Sequence, residues 1–181
     1  LLEHWRALMK RTISIKLNGA ARSADIDPSD ILLDVLREKL GVKSPKIGCE
    51  RGDCGVCTVI FNGRTVRSCL VLAAEADGGE IVTIEGLGAK GPTPLQQSFI
   101  KNNAFQCGFC APGMVLAATE LLEKNPKPDE HEIKEAISGN LCRCTGYEPI
   151  VKAIREVADS SPLSHRERAG VRAKSGKGKR R

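Results

Sequence analysis

Eight cysteines divide into two sets of four along 181 residues. Cys49, Cys54, Cys57 and Cys69 read C-x4-C-x2-C, with the fourth after eleven further residues. Cys107, Cys110, Cys142 and Cys144 read C-x2-C, a long gap, then C-x-C. Four thiolates at the first spacing suit a two-iron, two-sulfur (2Fe–2S) cluster, with two sulfurs for each iron. The bridging sulfides of such a cluster accept hydrogen bonds, so the loop must wrap it with backbone N–H groups pointing inward. Gly48, Gly52 and Gly55, beside and between the first cysteines, serve that need, because glycine allows positive φ and close backbone approach. A zinc site, often built from two CxxC pairs, fits this run poorly. The second set is open on spacing alone. It suits a cluster, a four-cysteine zinc knuckle or a redox dithiol at a helix start. Two clusters in one small chain would form a two-stop path for electrons.

The elements that must position these sulfurs change character halfway along the chain. Residues 12–17 alternate apolar and polar and meet Asn18-Gly19, a hairpin signal that predicts a return strand over 20–26. Ile31, Leu32, Val35, Leu36 and Leu40 have helical spacing, with Asp27 or Ser29 as cap and Gly41 as stop. The ligand loop then feeds strands over 58–61 and 65–69 around Asn62-Gly63, and a short strand over 81–85. Two strands, a helix, a ligand loop and further strands make a β-grasp domain of the plant-type ferredoxin kind. Beyond it the pattern predicts four short helices, over 93–103, 112–124, 129–138 and 148–159. Pro94 and Pro112 stand in first turns. The second cysteine set falls in the turns between these helices. The expected fold is therefore α+β: a β-grasp 2Fe–2S domain over 10–86, a linker over 87–94 and a small four-helix 2Fe–2S domain over 95–160. Residues 1–9 read as a leader outside the fold, and 161–181 as a disordered basic tail.

Net charge is +6, but residues 166–181 carry eight basic side chains against Glu167 alone, which is +7 and leaves the rest at −1. The basic character therefore belongs to the tail and gives no reason to expect a nucleic-acid partner. No apolar run reaches the length of a membrane span, and no secretory or twin-arginine signal opens the chain. A cytoplasmic location follows as the expectation. There, grouped cysteines are more often metal ligands or redox centres than structural disulfides. The aromatic content of 3% and two small cores make cluster binding a contributor to stability. His4, His131 and His165 lie outside both cysteine motifs and read as surface side chains.

Gln106-Cys107-Gly108-Phe109-Cys110-Ala111-Pro112-Gly113-Met114 and Gly139-Asn140-Leu141-Cys142-Arg143-Cys144-Thr145-Gly146-Tyr147 resemble the second-cluster motifs of the molybdenum hydroxylases. That family includes xanthine dehydrogenase, aldehyde oxidoreductase and carbon monoxide dehydrogenase. Residues 47–59 resemble its first-cluster loop, and the likeness runs from about Lys10 to Asp159. The resemblance implies a separate iron–sulfur subunit, not catalytic alone. It would relay electrons between molybdopterin on a large subunit and FAD on a medium subunit, in a heterotrimer or its dimer. It implies that Cys49, Cys54, Cys57 and Cys69 hold the first 2Fe–2S cluster, and Cys107, Cys110, Cys142 and Cys144 the second. It further implies that Gln106 hydrogen-bonds the pterin and that the Cys144 sulfur approaches the pterin amino group. Read without the family, Gln106 is a polar helix cap, Arg143 pairs with Glu148 or offsets thiolate charge, and Tyr147 packs. The alternatives are a free-standing two-cluster ferredoxin, which would purify alone, and a colourless zinc-stabilised interaction module.

Overall fold

Two Asn-Gly turns organise the first half of the computed structural model, which describes residues 11–160. The leader 1–9 and the basic tail 161–181 lie outside the described residues. Strands β1 (Arg11–Leu17) and β2 (Ala20–Ile26) pair antiparallel about Asn18-Gly19. Strands β3 (Thr58–Phe61) and β4 (Arg64–Arg67) pair likewise about Asn62-Gly63. All four turn residues have positive φ, the geometry whose twist matches that of the flanking strands. Strand β5 (Glu80–Val82) joins the hairpins, parallel to β1 and antiparallel to β3. The sheet order is β2-β1-β5-β3-β4. Ile13, Ile15 and Leu17 alternate inward on β1 and form one core with Ile26, Val59 and Ile81.

The helix that crosses this sheet is shorter than its periodicity suggests. An α-helical turn, α1 (Leu32–Asp34), passes at once into a π-helical stretch, Val35–Lys39. The Leu40 N–H donates to the Val35 carbonyl at 3.0 Å. No Gly or Pro within the stretch marks the widened turn. Neither Asp27 nor Ser29 caps it. Instead the Asp30 carboxylate accepts from the Asp27 N–H (3.0 Å) and the Lys39 ammonium (2.7 Å). Leu32, Val35 and Leu36 face the sheet core, while Leu33 packs on Cys57 and Cys69. The crossing segment thus joins the core to the first cysteine set.

Two predicted strands stop early, each for a local reason. β4 ends at Arg67, and a 3₁₀ turn, Ser68–Leu70, swings Cys69 back towards Cys57. There the Ser68 hydroxyl donates to the Cys57 carbonyl at 2.7 Å. β5 ends at Val82 because the Thr83 N–H donates to the Asn18 side chain at 2.8 Å rather than to a strand. A short helix, α2 (Ile84–Leu87), follows.

The second half is helical: α3 (Pro94–Lys101), α4 (Ala111–Lys124), α5 (Glu130–Ile137) and α6 (Glu148–Ser160). Thr93 with Gln96, and Asp129 with Glu132, close reciprocal capping boxes at α3 and α5, so orphan N–H groups at both starts are satisfied. α4 is buried along most of its length and meets Leu95, Phe99, Ile133, Ile150 and Ile154 in a second core. Ile60, 2% exposed, belongs to that core although it lies on β3 beside Val59 of the first. Successive strand residues point to opposite faces, so one strand supplies both cores. Burying Ile60 contributes about 1.5–3 kcal/mol.

Candidate metal centres

The first set sits in a loop wound around its own sulfurs. The Cys54 N–H donates to the Cys49 sulfur at 3.4 Å. The backbone N–H of Arg51 does the same, with those of Cys54 and Asp53, and the Cys49 thiol is pulled down to about 6. Inward N–H groups are what a thiolate, or a sulfur of a bound cluster, requires. The Cys57 and Cys69 sulfurs stand 3.4 Å apart. Burial, and then the hydrogen bond with Cys57, push the Cys69 thiol up to about 11. Burial also raises Cys54, whose thiol lies against that of Cys49. The four sulfurs therefore stand as two pairs, Cys49 with Cys54 and Cys57 with Cys69.

The second set repeats the pairing on different elements. Cys107 and Cys110 precede α4, and Cys142 and Cys144 lie between α5 and α6. The Cys144 and Cys107 sulfurs are 3.7 Å apart. Burial, then contact with the Cys142 thiol, push Cys110 up to about 12. For Cys142, burial works against ionisation, but the Thr145 hydroxyl and the N–H groups of Thr145 and Cys144 bring the thiol down to about 7. Cys144 is raised, chiefly by its hydrogen bond with Cys107. In the first set like pairs with like, Cys49 and Cys54 half-buried and Cys57 and Cys69 buried; in the second, Cys107 and Cys144 are both exposed, while buried Cys110 pairs with half-buried Cys142.

This donor set fits two 2Fe–2S clusters. Each cluster takes two thiolates at each of two irons, and each set offers two sulfur pairs. A single tetrahedral zinc ion would draw all four sulfurs of a set to one point.

The two loops touch. The Leu141 N–H donates to the Cys54 carbonyl at 2.9 Å, so one hydrogen bond joins a residue of the first set to the neighbour of Cys142. The buried Asn140 side chain donates to the Gly55 carbonyl (3.0 Å) and the Thr58 hydroxyl (3.3 Å). Arg67 donates to the Gly139 carbonyl (2.5 Å) and the Thr58 hydroxyl (2.8 Å). A Cβ on Gly55 would lie 2.4 Å from the Gly139 carbonyl oxygen, and one on Gly113 would lie 2.4 Å from that of Gly55. Both glycines exist to let these backbones meet.

Gln106 caps no helix. Its side-chain amide donates to the Cys144 carbonyl at 3.1 Å, and both residues are exposed. Tyr147 does more than pack: its hydroxyl accepts from the Cys142 N–H at 2.9 Å and donates to the Asn140 carbonyl at 3.4 Å. Arg143 is exposed, and among the described residues no ion pair joins it to Glu148. His131 is exposed on α5. His4 and His165 lie outside the described residues. Sequence reading misses Arg67 and Asn140 as junction residues. Only the Gly139-Asn140 step beside Cys142 hints at them.

Residues 15–82 match the 2Fe-2S iron-sulfur cluster binding domain family, and residues 83–155 match the 2Fe-2S binding domain family. The chain is 54% identical over 147 residues to the nicotinate dehydrogenase small FeS subunit of Eubacterium barkeri, covering 81% of this chain and 94% of that protein. It is 49% identical over 142 residues to the nicotine 6-hydroxylase small subunit of Paenarthrobacter nicotinovorans, covering 78% and 86%. The fold is similar to a chain of quinoline 2-oxidoreductase from Pseudomonas putida 86, with a TM-score of 0.79 and 47% identity over 83% of this chain and 93% of that one. Aldehyde oxidoreductase from Desulfovibrio gigas gives a TM-score of 0.78 at 39% identity, but there the match covers only 17% of the longer chain.

Proposed function

Because the chain belongs to the small iron–sulfur subunits of the molybdenum hydroxylases, we propose a specific division of labour among its residues. It is an electron-transfer subunit with two 2Fe–2S-binding domains, working within a multisubunit oxidoreductase and not catalytic alone. Cys49, Cys54, Cys57 and Cys69 hold the first cluster. Cys107, Cys110, Cys142 and Cys144 hold the second. When bound, each cluster supplies a one-electron carrier. The backbone N–H groups of Arg51, Asp53 and Cys54 hold the Cys49 sulfur as thiolate, and Thr145 does so for Cys142. Leu33 packs on Cys57 and Cys69 and shields that pair from water on one side.

The partners follow the same reading: a large subunit with molybdopterin and a medium subunit with FAD, as a heterotrimer or its dimer. Gln106 and Cys144 are the contact with the pterin. An amide can both donate to and accept from a pterin edge, and the hydrogen bond from Gln106 to the Cys144 carbonyl supports placing the two side by side at the surface. The Leu141–Cys54 hydrogen bond supports a direct relay between the sets. Among the described residues no helix is long and apolar enough to cross a membrane, and the complex is assigned to the cytoplasm.

The observation that carries the site assignment is the two-and-two pairing of sulfurs in both loops. The test is to purify the native complex and measure iron, molybdenum, flavin and the reduced EPR spectrum together. About four iron atoms per chain and two distinct 2Fe–2S signals are expected, with molybdenum and flavin co-migrating. Zinc in place of iron would overturn the cluster assignment, and a chain that migrates alone with its iron would favour the free-standing carrier.

A further inference from the structure

Lys46 lies three residues before Cys49, so its place in the chain suggests a charge belonging to the first cysteine set. Its place in the fold is different. The Lys46 N–H donates to the Val56 carbonyl at 3.0 Å, and its ammonium donates to the Ser44 carbonyl at 3.1 Å. From there the ammonium sits 5.3 Å from the centroid of the Phe109 ring. Phe109 lies between Cys107 and Cys110, the CxxC of the second set. An ammonium over an aromatic face is held by the ring's quadrupole, so the contact is an anchor across the two halves of the chain.

We propose that Lys46 is a redox-tuning residue of the second set: its positive charge, carried over from the β-grasp half, favours the reduced form of the cluster held by Cys107, Cys110, Cys142 and Cys144. The inference rests on the cluster assignment above. Reduction adds one electron and makes the cluster more negative by one charge. No bond breaks and no proton moves. A nearby cation stabilises that added charge, and net local charge is one of the quantities that set such potentials. The other charges facing Lys46 are Arg37, of the same sign, and Glu85, of the opposite sign. Glu85 is engaged by Ser44, whose N–H and hydroxyl donate to its carboxylate, and by the Thr83 hydroxyl at 2.5 Å. Burial, and then Arg37, lower the Lys46 pKa, while Glu85, Cys110 and Cys107 work to raise it. Cys110 and Cys107, both of the second set, are among the groups in that balance.

The experiment is an EPR-monitored redox titration of the purified complex with dithionite as electron donor. The two signals are assigned by Cys69→Ser and Cys110→Ser variants. Lys46→Met keeps the aliphatic stem and removes the charge. It is expected to lower the midpoint of the second cluster by roughly a tenfold change in its one-electron equilibrium, about 59 mV, and to leave the first cluster in place. Lys46→Arg, which keeps the charge and the ring contact, is expected to retain the wild-type midpoint. Phe109→Leu, which removes the seat of the ammonium, should lower the same midpoint by less than Lys46→Met does. A shift confined to the first cluster, an equal shift of both, or no shift overturns the proposal. If Lys46→Met does not assemble, an unchanged midpoint in Phe109→Leu overturns it instead. A wild-type complex without two 2Fe–2S signals would overturn the cluster assignment itself, which is a separate outcome.

Discussion

A glycine among ligands can serve the cluster, the turn or the neighbour, and Gly55 serves the last two. Its φ of +73° costs an L-residue about 1–2 kcal/mol. A methyl group there would also meet the Gly139 carbonyl oxygen at 2.4 Å and the Asn140 amide at 2.7 Å. Overpacking of that kind adds about 1–3 kcal/mol. Gly19 has a similar φ of +88° with nothing within 4 Å of a Cβ. Thermal unfolding should therefore separate the two: Gly19→Ala loses only the backbone term, and Gly55→Ala loses both and sheds iron. Equal losses would mean that the two loops do not meet as described. The cysteine spacing and the glycines between them were legible in the chain as a cluster loop. That Gly55 also faces the second loop was not, because its partner Gly139 lies far along the sequence.

At the scale of elements, the capping boxes of α3 and α5 follow from local chemistry, as does Pro94 in its first turn. The widened turn over Val35–Lys39 does not, since apolar spacing there is compatible with either helix. Between helices, α5 and α6 are linked through Glu130, which pairs with Lys134 on its own helix (2.6 Å) and with Arg155 on α6. The hydrogen bond from Lys134, then that from Arg155, hold its carboxyl down from the ordinary 4.5 to about 2. A folded-state value below the unfolded one means that the stabilisation is fully present above about pH 4.5. It is lost as pH falls through about 2. The pair is exposed and screened by salt, so the effect is small. The gap in thermal midpoint between the wild type and Glu130→Gln should be constant from neutral pH to about 5 and close towards pH 2. A gap that persists unchanged at pH 2 would rule out the carboxylate as its source.

For the whole molecule, the decisive contact is the junction of Asn140, Arg67, Thr58 and Gly55, together with Ile60 on the shared strand. Asn140 is 2% exposed and spans the two halves through its amide. Removing a buried hydrogen-bonding partner costs about 1–3 kcal/mol, so Asn140→Ala should lower the urea midpoint by that amount with the denaturant slope unchanged. Asn140→Asp should cost at least as much, because its carboxylate would face the Gly55 carbonyl without a proton to donate. If Asn140→Asp is milder than Asn140→Ala, the amide is not the bridge. The Asn140 contacts join residues more than eighty positions apart, beyond the reach of periodicity or spacing.

The chain's local chemistry is sufficient to specify two cysteine sets, a hairpin-rich half and a helical half. Thiolate spacing, Asn-Gly turns, helix caps and apolar period all act over a few residues, and their consequences can be read within a short window. How the halves meet depends on which distant backbones can approach without a side chain between them. It also depends on which buried donors find acceptors there. Those conditions hold only once both halves are folded. They set Leu141 on Cys54 and carry the Lys46 charge from the threshold of one loop to the face of the other.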